Sequence, residues 1–323
     1  QTPREARVPA CLQKEARPPT YSLAPLSAHR QRIFSWRELR HPLAQRGLRS
    51  SHGSAVHQSP AAGPLHAIVS HHVVHGRVIF PGAGYLEMAR AALGPTGLHG
   101  VYFLQPLALE APGLLVECTV SDRRFEVRSG EADAIEATTV HCSGAAGGGS
   151  ACWQRVDHAA LRPPAAAADV GALYDGFHTV DLQYGPGYRT LAQAWGAVSH
   201  ALARLRARST HEGTQVHPAD LDDALCTGGV VASSGRHGET RLPFAVDDAA
   251  LRGAAGSLWA VRRLSRHDWL EAGVSVVHAW LTRLCCAPIT GRGCAERRGG
   301  VGAAWWPRWA ATSAARRLQV ARA

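Results

Sequence analysis

The 323-residue sequence predicts an α+β fold in which an antiparallel sheet wraps a central helix, twice over. Three observations carry this. Two stretches, 41–147 and 169–283, each hold one apolar helical segment among several strand-like runs. A Gly-, Ala- and Pro-rich stretch over 148–168 separates them and reads as an inter-domain linker. The hydrophobic content, 46%, is enough to bury a core in each half.

Taken in order, residues 1–40 are rich in Pro and Arg without a sustained period and predict a linker or extended arm. The globular part begins near His41-Pro42-Leu43. After Pro81, GAGYLEMARAAL (82–93) predicts a helix, because Leu86, Ala89, Arg90 and Leu93 recur at three- and four-residue spacing behind a Pro-Gly turn. LLVECTV (114–120), RFEVRS (124–129) and IEATTVHCS (135–143) predict strands. In the second half a short helical piece runs from Ala172 to Phe177, and strands are expected over 194–207, 257–264 and 273–283. A helix over 218–233 places Pro218 in its first turn, where the missing N–H costs nothing. The tail, 284–323, follows neither period and reads as irregular or disordered.

Composition excludes several functions. The net charge of +10 is concentrated at the ends: residues 1–50 carry 10 Lys+Arg against 3 Asp+Glu, while the middle of the chain is slightly acidic. A nucleic-acid binder places its basic face on the folded domain, so no nucleic-acid partner is expected. The basic residues are almost all Arg and Asn is absent, a pattern of coding bias. The eight cysteines form no C-x-x-C pair, so neither a zinc ribbon nor a disulfide scaffold is expected, and the thiols read as reduced and intracellular. No apolar run is long enough for a membrane helix, so no membrane partner is expected; the expected location is the cytoplasm, with a plastid left open. Gln1 and the single Met88 suggest a processed chain or a piece of a longer polypeptide.

The chemistry concentrates in HHVVHGRVIFPGAGYLE (71–87), with His66 just upstream. A metal site is disfavoured: His71, His72 and His75 lack the H-E-x-x-H pattern, and neighbouring histidines on a strand cannot all face one ion. Gly82-Ala83-Gly84 lacks the third glycine of a dinucleotide loop, and no G-x-S-x-G marks a serine hydrolase. Acid/base work remains. A histidine serves as base near neutral pH, and a carboxylic acid raised by burial serves as acid. HPADLDDAL (217–225) offers Asp220, Asp222 and Asp223. Asp220 and Asp223 read as partners of the helix dipole, whereas Asp222 sits between Leu221 and Ala224-Leu225.

These residues bring a family into view. His72-x-x-x-Gly76-x-x-x-x-Pro81 resembles the signature of the dehydratase domain of modular polyketide synthases, and GAGYLEMA is similar to its continuation. Leu182-Gln183-Tyr184-Gly185-Pro186-Gly187-Tyr188 resembles the second motif of that family, with Tyr188 in place of Phe. His217-Pro218-Ala219-Asp220-Leu221-Asp222 resembles the third, and Leu242-Pro243-Phe244 a further element. Pro18-Pro19-Thr20-Tyr21 and Arg30 to Trp36 are similar to the linker after an acyltransferase domain. The motifs follow the family order from about residue 18 to 283.

The resemblance implies a double hot-dog fold and a β-hydroxyacyl chain carried on the phosphopantetheine of an acyl carrier domain. It implies His72 as general base, Asp222 as general acid and an α,β-unsaturated thioester as product. No metal or redox cofactor is implied. Substrate support would come from Gly76, Pro81, Gly82, Gly84, Tyr184, Gly185, Pro186 and Cys226. The N–H groups of Gly82-Ala83-Gly84 suit the growing charge on the thioester carbonyl, and Tyr184 suits the hydroxyl or Asp222. Implied partners are the carrier domain, neighbouring synthase domains and a second copy of the chain. The sequence departs from the family at Cys226, where Gln or His is usual, and at His71, where Asp is common. Two alternatives share the implied fold: a product-template-like cyclisation domain and a catalytically silent dimer scaffold.

Overall fold

The computed structural model describes residues 37–49, 54–131, 138–147, 158–162, 165–198, 200–230, 241–251, 258–264, 272–276 and 279–288. The first half contains β1 (Arg37–Glu38), β2 (Arg46–Arg49), β3 (Ala55–Pro60), α1 (Pro64–Val69), β4 (His72–Val74), β5 (Arg77–Val78), α2 (Gly82–Leu93), β6 (Leu98–Phe103), β7 (Leu114–Ser121), β8 (Arg124–Glu131) and β9 (Thr139–Ala146). Next come α3 (His158–Leu161), β10 (Ala166–Ala168), α4 (Val170–Thr179), β11 (Leu182–Tyr184), β12 (Leu191–Gly196), β13 (His200–Leu205) and α5 (Pro218–Cys226). The last strands are β14 (Arg241–Leu251), β15 (Leu258–Leu264), β16 (Ala272–Val276) and β17 (Ala279–Pro288).

Fourteen strands form one antiparallel sheet in the order β1-β2-β3-β7-β8-β9-β6-β14-β17-β16-β15-β13-β12-β10. The seam between the halves is the β6–β14 pairing, in which Val101 lies opposite Val246. Beside it, β11, β4 and β5 make a small sheet of their own. The strands wrap two helices, α2 and α5, which pack on one another. Both are buried nearly all round rather than along one stripe, as a helix enclosed by a sheet must be.

Local chemistry explains most boundaries. Pro81, extended at ψ 153, opens α2, and Gly94 at φ 86 closes it while its N–H returns to the Arg90 carbonyl. The helix anticipated over 218–233 is shorter: α5 ends at Cys226, and the chain tightens into a 3₁₀ turn over Thr227–Val230. There a Cβ on Gly228 would overlap the Arg262 guanidinium. The single strand expected over 194–207 is a hairpin, with Ala197 donating to the His200 carbonyl at 2.8 Å. The one expected over 273–283 is likewise two strands, β16 and β17, and β17 runs on through Pro288. α3 and β10 lie within the stretch read as a linker, and β10 pairs with β12. The proposed arm up to residue 36 and the tail after Pro288 fall outside the described residues.

Candidate active site

The small sheet and α5 bring the two key residues together. β11 pairs antiparallel with β4 so that Tyr184 lies opposite His72. β4 turns into β5 through His75 (φ 50) and Gly76 (φ 73), a left-handed corner that favours glycine. His72 is 3% exposed, and its Nδ1 lies 2.7 Å from the Ile79 carbonyl oxygen. A carbonyl only accepts, so Nδ1 carries the hydrogen and Nε2 presents its lone pair. That Nε2 is 3.7 Å from Asp222 Oδ2, which has no hydrogen-bond partner among the described residues although it is buried. Burial pushes the Asp222 carboxyl above the usual range; the His72 ring and the Tyr184 hydroxyl pull the other way without cancelling it.

Aromatic rings frame this pair. Tyr184 and Tyr188 stack at 6.4 Å and lie 5.7 and 5.5 Å from the His72 ring. Burial, then the neighbouring Asp222, keeps both phenols well above their ordinary range and therefore neutral. Tyr184 Oη shares a hydrogen bond with Cys226 Sγ at 3.3 Å, so the tyrosine's direct partner is the thiol one turn beyond Asp222. Burial, reinforced by Asp222 and Asp223, holds that thiol well above its usual value and protonated.

The other histidines separate from one another. His71 Nδ1 accepts the Gly187 N–H at 3.0 Å, and its carbonyl accepts the Gly185 N–H at 2.9 Å. His75 Nδ1 lies 3.1 Å from Asp181 Oδ2 at the surface. His66 sits on α1. Among the described residues no cluster of three His, Cys, Asp or Glu side chains is arranged to hold a metal ion, and no helix is long and apolar enough to cross a membrane.

Several anticipated support residues have their N–H groups committed inside the protein. Gly76 donates to Gln183 Oε1 at 2.9 Å and Gly84 to the Pro81 carbonyl at 2.9 Å. Their contribution is space and turn geometry: a Cβ on Gly84 would meet the Phe80 ring at 2.9 Å, and one on Gly185 would meet His71 at 2.7 Å. Gly82 packs against Pro243 and Phe103, Pro81 caps α2, and Pro186 opens the 3₁₀ turn that carries Tyr188.

The dipole-partner expectation for Asp223 is corrected. Asp220 alone is acidic in the first turn of α5, and it pairs with Arg208 Nε at 2.8 Å. Asp223 lies a turn further on, wholly buried, and its Oδ2 accepts from the Tyr174 hydroxyl (2.9 Å), the Thr190 hydroxyl (2.7 Å), the Leu191 N–H (3.3 Å) and the Thr190 N–H. Burial, opposed by these bonds and supported by Asp222, lifts the carboxyl to about 7. Glu87 on α2 was also missed. It accepts from both Arg90 Nε and Nη2 at 2.8 Å and from the Gln215 N–H at 2.7 Å, and lies 3.2 Å from His41 Nε2, tying α2 to the segment before α5. Those hydrogen bonds and Arg90 outweigh burial and hold its carboxyl below the ordinary value.

The geometry can now be set beside known proteins. Residues 41–133 match the family described as polyketide synthase dehydratase domain, and residues 154–283 match polyketide synthase dehydratase N-terminal domain. The chain belongs to the polyketide synthase dehydratase family. Polyketide synthase ThaG of Burkholderia thailandensis is 33% identical over 222 residues, 59% of this chain and 4% of that protein. Polyketide synthase GfsE of Streptomyces halstedii is 30% identical over 241 residues, 68% of this chain and 6% of that protein. The chain thus spans only a small part of these relatives. Among solved structures, the erythromycin dehydratase superposes with a TM-score of 0.67 at 25% identity, covering 78% of this chain and 97% of that one. The dehydratase domain from the CurF module of curacin polyketide synthase gives 0.67 at 19% identity, covering 77% and 99%. The double hot-dog fold of this dehydratase family is the one that wraps α2 and α5.

Proposed function

We propose that this chain removes water from a β-hydroxyacyl thioester carried on the phosphopantetheine of an acyl carrier domain, during polyketide chain extension. The supporting observation is the buried pair itself: a histidine whose Nε2 lone pair faces, across 3.7 Å, an unpartnered carboxyl oxygen held up by burial. At that distance the two groups are not locked in a short ion pair, so His72 is free to receive a proton and Asp222 to give one. His72 Nε2 takes the α-proton. The C–H electron pair becomes the Cα=Cβ bond, and the Cβ–O pair leaves with the hydroxyl oxygen, which takes the proton of Asp222. Water departs, and the resulting imidazolium and carboxylate return to their starting forms by net proton transfer.

At the start of α2 the Gly84 N–H is already used, which leaves those of Gly82 and Ala83 to stabilise charge on the thioester carbonyl. Tyr184 and Tyr188 pack against the His72 ring, and Cys226 shares a hydrogen bond with Tyr184. We keep 41–147 and 169–283 as the two repeats, and take as partners the carrier domain, neighbouring synthase domains and a second copy of the chain.

The test is turnover of a racemic 3-hydroxybutyryl pantetheine thioester to the enoyl product, followed by mass spectrometry. His72→Ala and Asp222→Asn are each expected to lose about 100-fold or more in rate, the usual worth of a positioned acid or base. Absence of enoyl product from the unaltered chain would overturn the assignment in favour of cyclisation or a silent scaffold, and full activity in either variant would overturn the role given to that residue.

A further inference from the structure

Asp223 places a second carboxylate beside Asp222 on α5, wholly buried, where apolar packing alone would cost less. Its Oδ2 gathers donors from two other elements: Tyr174 of α4, and Thr190 with Leu191 at the start of β12. Tyr174 Oη in turn accepts from the Leu191 N–H at 3.1 Å, which closes the cluster. Thr190 follows Tyr188 by two residues. The segment from Tyr184 to Leu191 is therefore held at one end by the pairing of Tyr184 with His72 and at the other by Asp223. A second strut joins its middle to α5, since Arg208 Nε binds Asp220 and Arg208 Nη2 donates to the Gly187 carbonyl at 3.0 Å.

We propose that Asp223 is a positioning residue for the reaction: by fastening Thr190 and Leu191 to α5 it fixes Tyr184 and Tyr188 against His72 and sets Asp222 opposite Nε2. This rests on the acid and base roles given above to Asp222 and His72. Asp223 touches none of the reacting atoms; it acts through the segment it holds. Its neighbours with charge or titrating groups are Asp222 and Cys226 on its own helix, Tyr174 on α4, Tyr184 on β11 and Tyr188 in the 3₁₀ turn that follows.

The experiment uses the full chain with Asp223→Ala, which removes the acceptor, and Asp223→Asn, which keeps an oxygen for the same donors. Two readouts are taken. One is kcat and KM with 3-hydroxybutyryl pantetheine thioester. The other is the rate of iodoacetamide labelling at Cys226, which shares its hydrogen bond with Tyr184, with the buried Cys118 and Cys142 as monitors of global opening. Asp223→Ala is expected to lower kcat about 10- to 100-fold with KM within about twofold, the scale of an ångström-sized misplacement. Cys226 labelling should rise at least about tenfold while Cys118 and Cys142 stay protected, and Asp223→Asn should return both readouts to within about threefold of the parent.

Unchanged Cys226 labelling in Asp223→Ala, or equal acceleration at all three cysteines, overturns the proposal. So does an unaltered kcat in an active chain. If the parent makes no enoyl product, the dehydratase assignment fails, yet the labelling still decides whether Asp223 fixes the segment. Should Asp223→Ala not fold, Thr190→Val removes one donor from the opposite side and is expected to raise Cys226 labelling by about threefold; no rise counts against the proposal.

Discussion

Asp223→Asn should change how stability depends on pH, and the change can be worked out from the structure. The folded carboxyl titrates at about 7 against 3.8 for an unburied one. Between those values the native state binds the proton and the unfolded chain does not, so stability falls as pH rises. It is fully present below about pH 4 and fully lost above about pH 7. At about 1.4 kcal/mol for each tenfold change in proton affinity, the whole loss is at most roughly 4 kcal/mol, of which roughly 2–3 accrue between pH 5 and 8. The proton belongs on Oδ1, which is buried without a partner, while Oδ2 keeps its four donors in either state. Asparagine would put an amide N–H₂ at the Oδ1 position, one unpaired donor more than the O–H of the protonated parent, at a cost of about 1–3 kcal/mol at every pH. The variant is therefore expected to be less stable than the parent at pH 5 and equal or more stable at pH 8. Urea unfolding followed by circular dichroism at pH 5, 6, 7 and 8 reads the difference directly, and subtracting the two proteins removes most other titrations. Parallel stability profiles across that range would refute the account of Asp223.

Three further outcomes are expected. Gly185→Ala should lower the melting temperature more than Gly187→Ala. The first Cβ would collide with the His71 ring and Cβ at 2.7–2.9 Å, a cost of about 1–3 kcal/mol, whereas the second meets mainly the Nδ1 tip of an exposed ring that can swing away; restoring Gly187→Ala with His71→Ala checks the cause. Cys226→Ala should cost about 0.5–1.5 kcal/mol in thermal unfolding by removing the thiol partner of the buried Tyr184 hydroxyl, and Cys226→Ser should recover most of it. Glu87→Ala should cost about 3–5 kcal/mol by urea unfolding, since it strands Arg90 inside the core along with the Gln215 N–H, and Glu87→Gln should cost less.

How much of this was legible beforehand follows from the range of the interactions. α2 was readable to the residue because Pro81 and Gly94 punctuate it locally. The end of α5 was not, because Thr227–Val230 continue as a 3₁₀ turn whose glycine is dictated by Arg262, far along the chain. The β12–β13 hairpin was missed because its turn carries neither Asn-Gly nor Asp-Gly. At the site, His72 was singled out by the resemblance of its spacing to Gly76 and Pro81 to the dehydratase signature. Its tautomer was not visible, because that depends on a backbone carbonyl at Ile79, which no side-chain pattern encodes. Asp223 was invisible for a similar reason: its partners Tyr174 and Thr190 lie 49 and 33 residues away and carry no motif.

On the proposed mechanism adjacent carboxylates on one helix receive different work although burial raises both. A raised proton affinity alone does not separate them. Geometry selects Asp222 instead. A proton donor needs an oxygen that faces the reacting groups and is not already committed, and Asp222 Oδ2 meets this by facing His72 with no partner of its own. Asp223 Oδ2 holds four protein donors, and reassigning any of them would release the β12 end of the Tyr184–Leu191 segment. On the proposed mechanism the same conservative change therefore separates the two. Asparagine at 223 keeps an acceptor in place and should keep much of the rate. Asparagine at 222 keeps the shape but lacks the acidic proton.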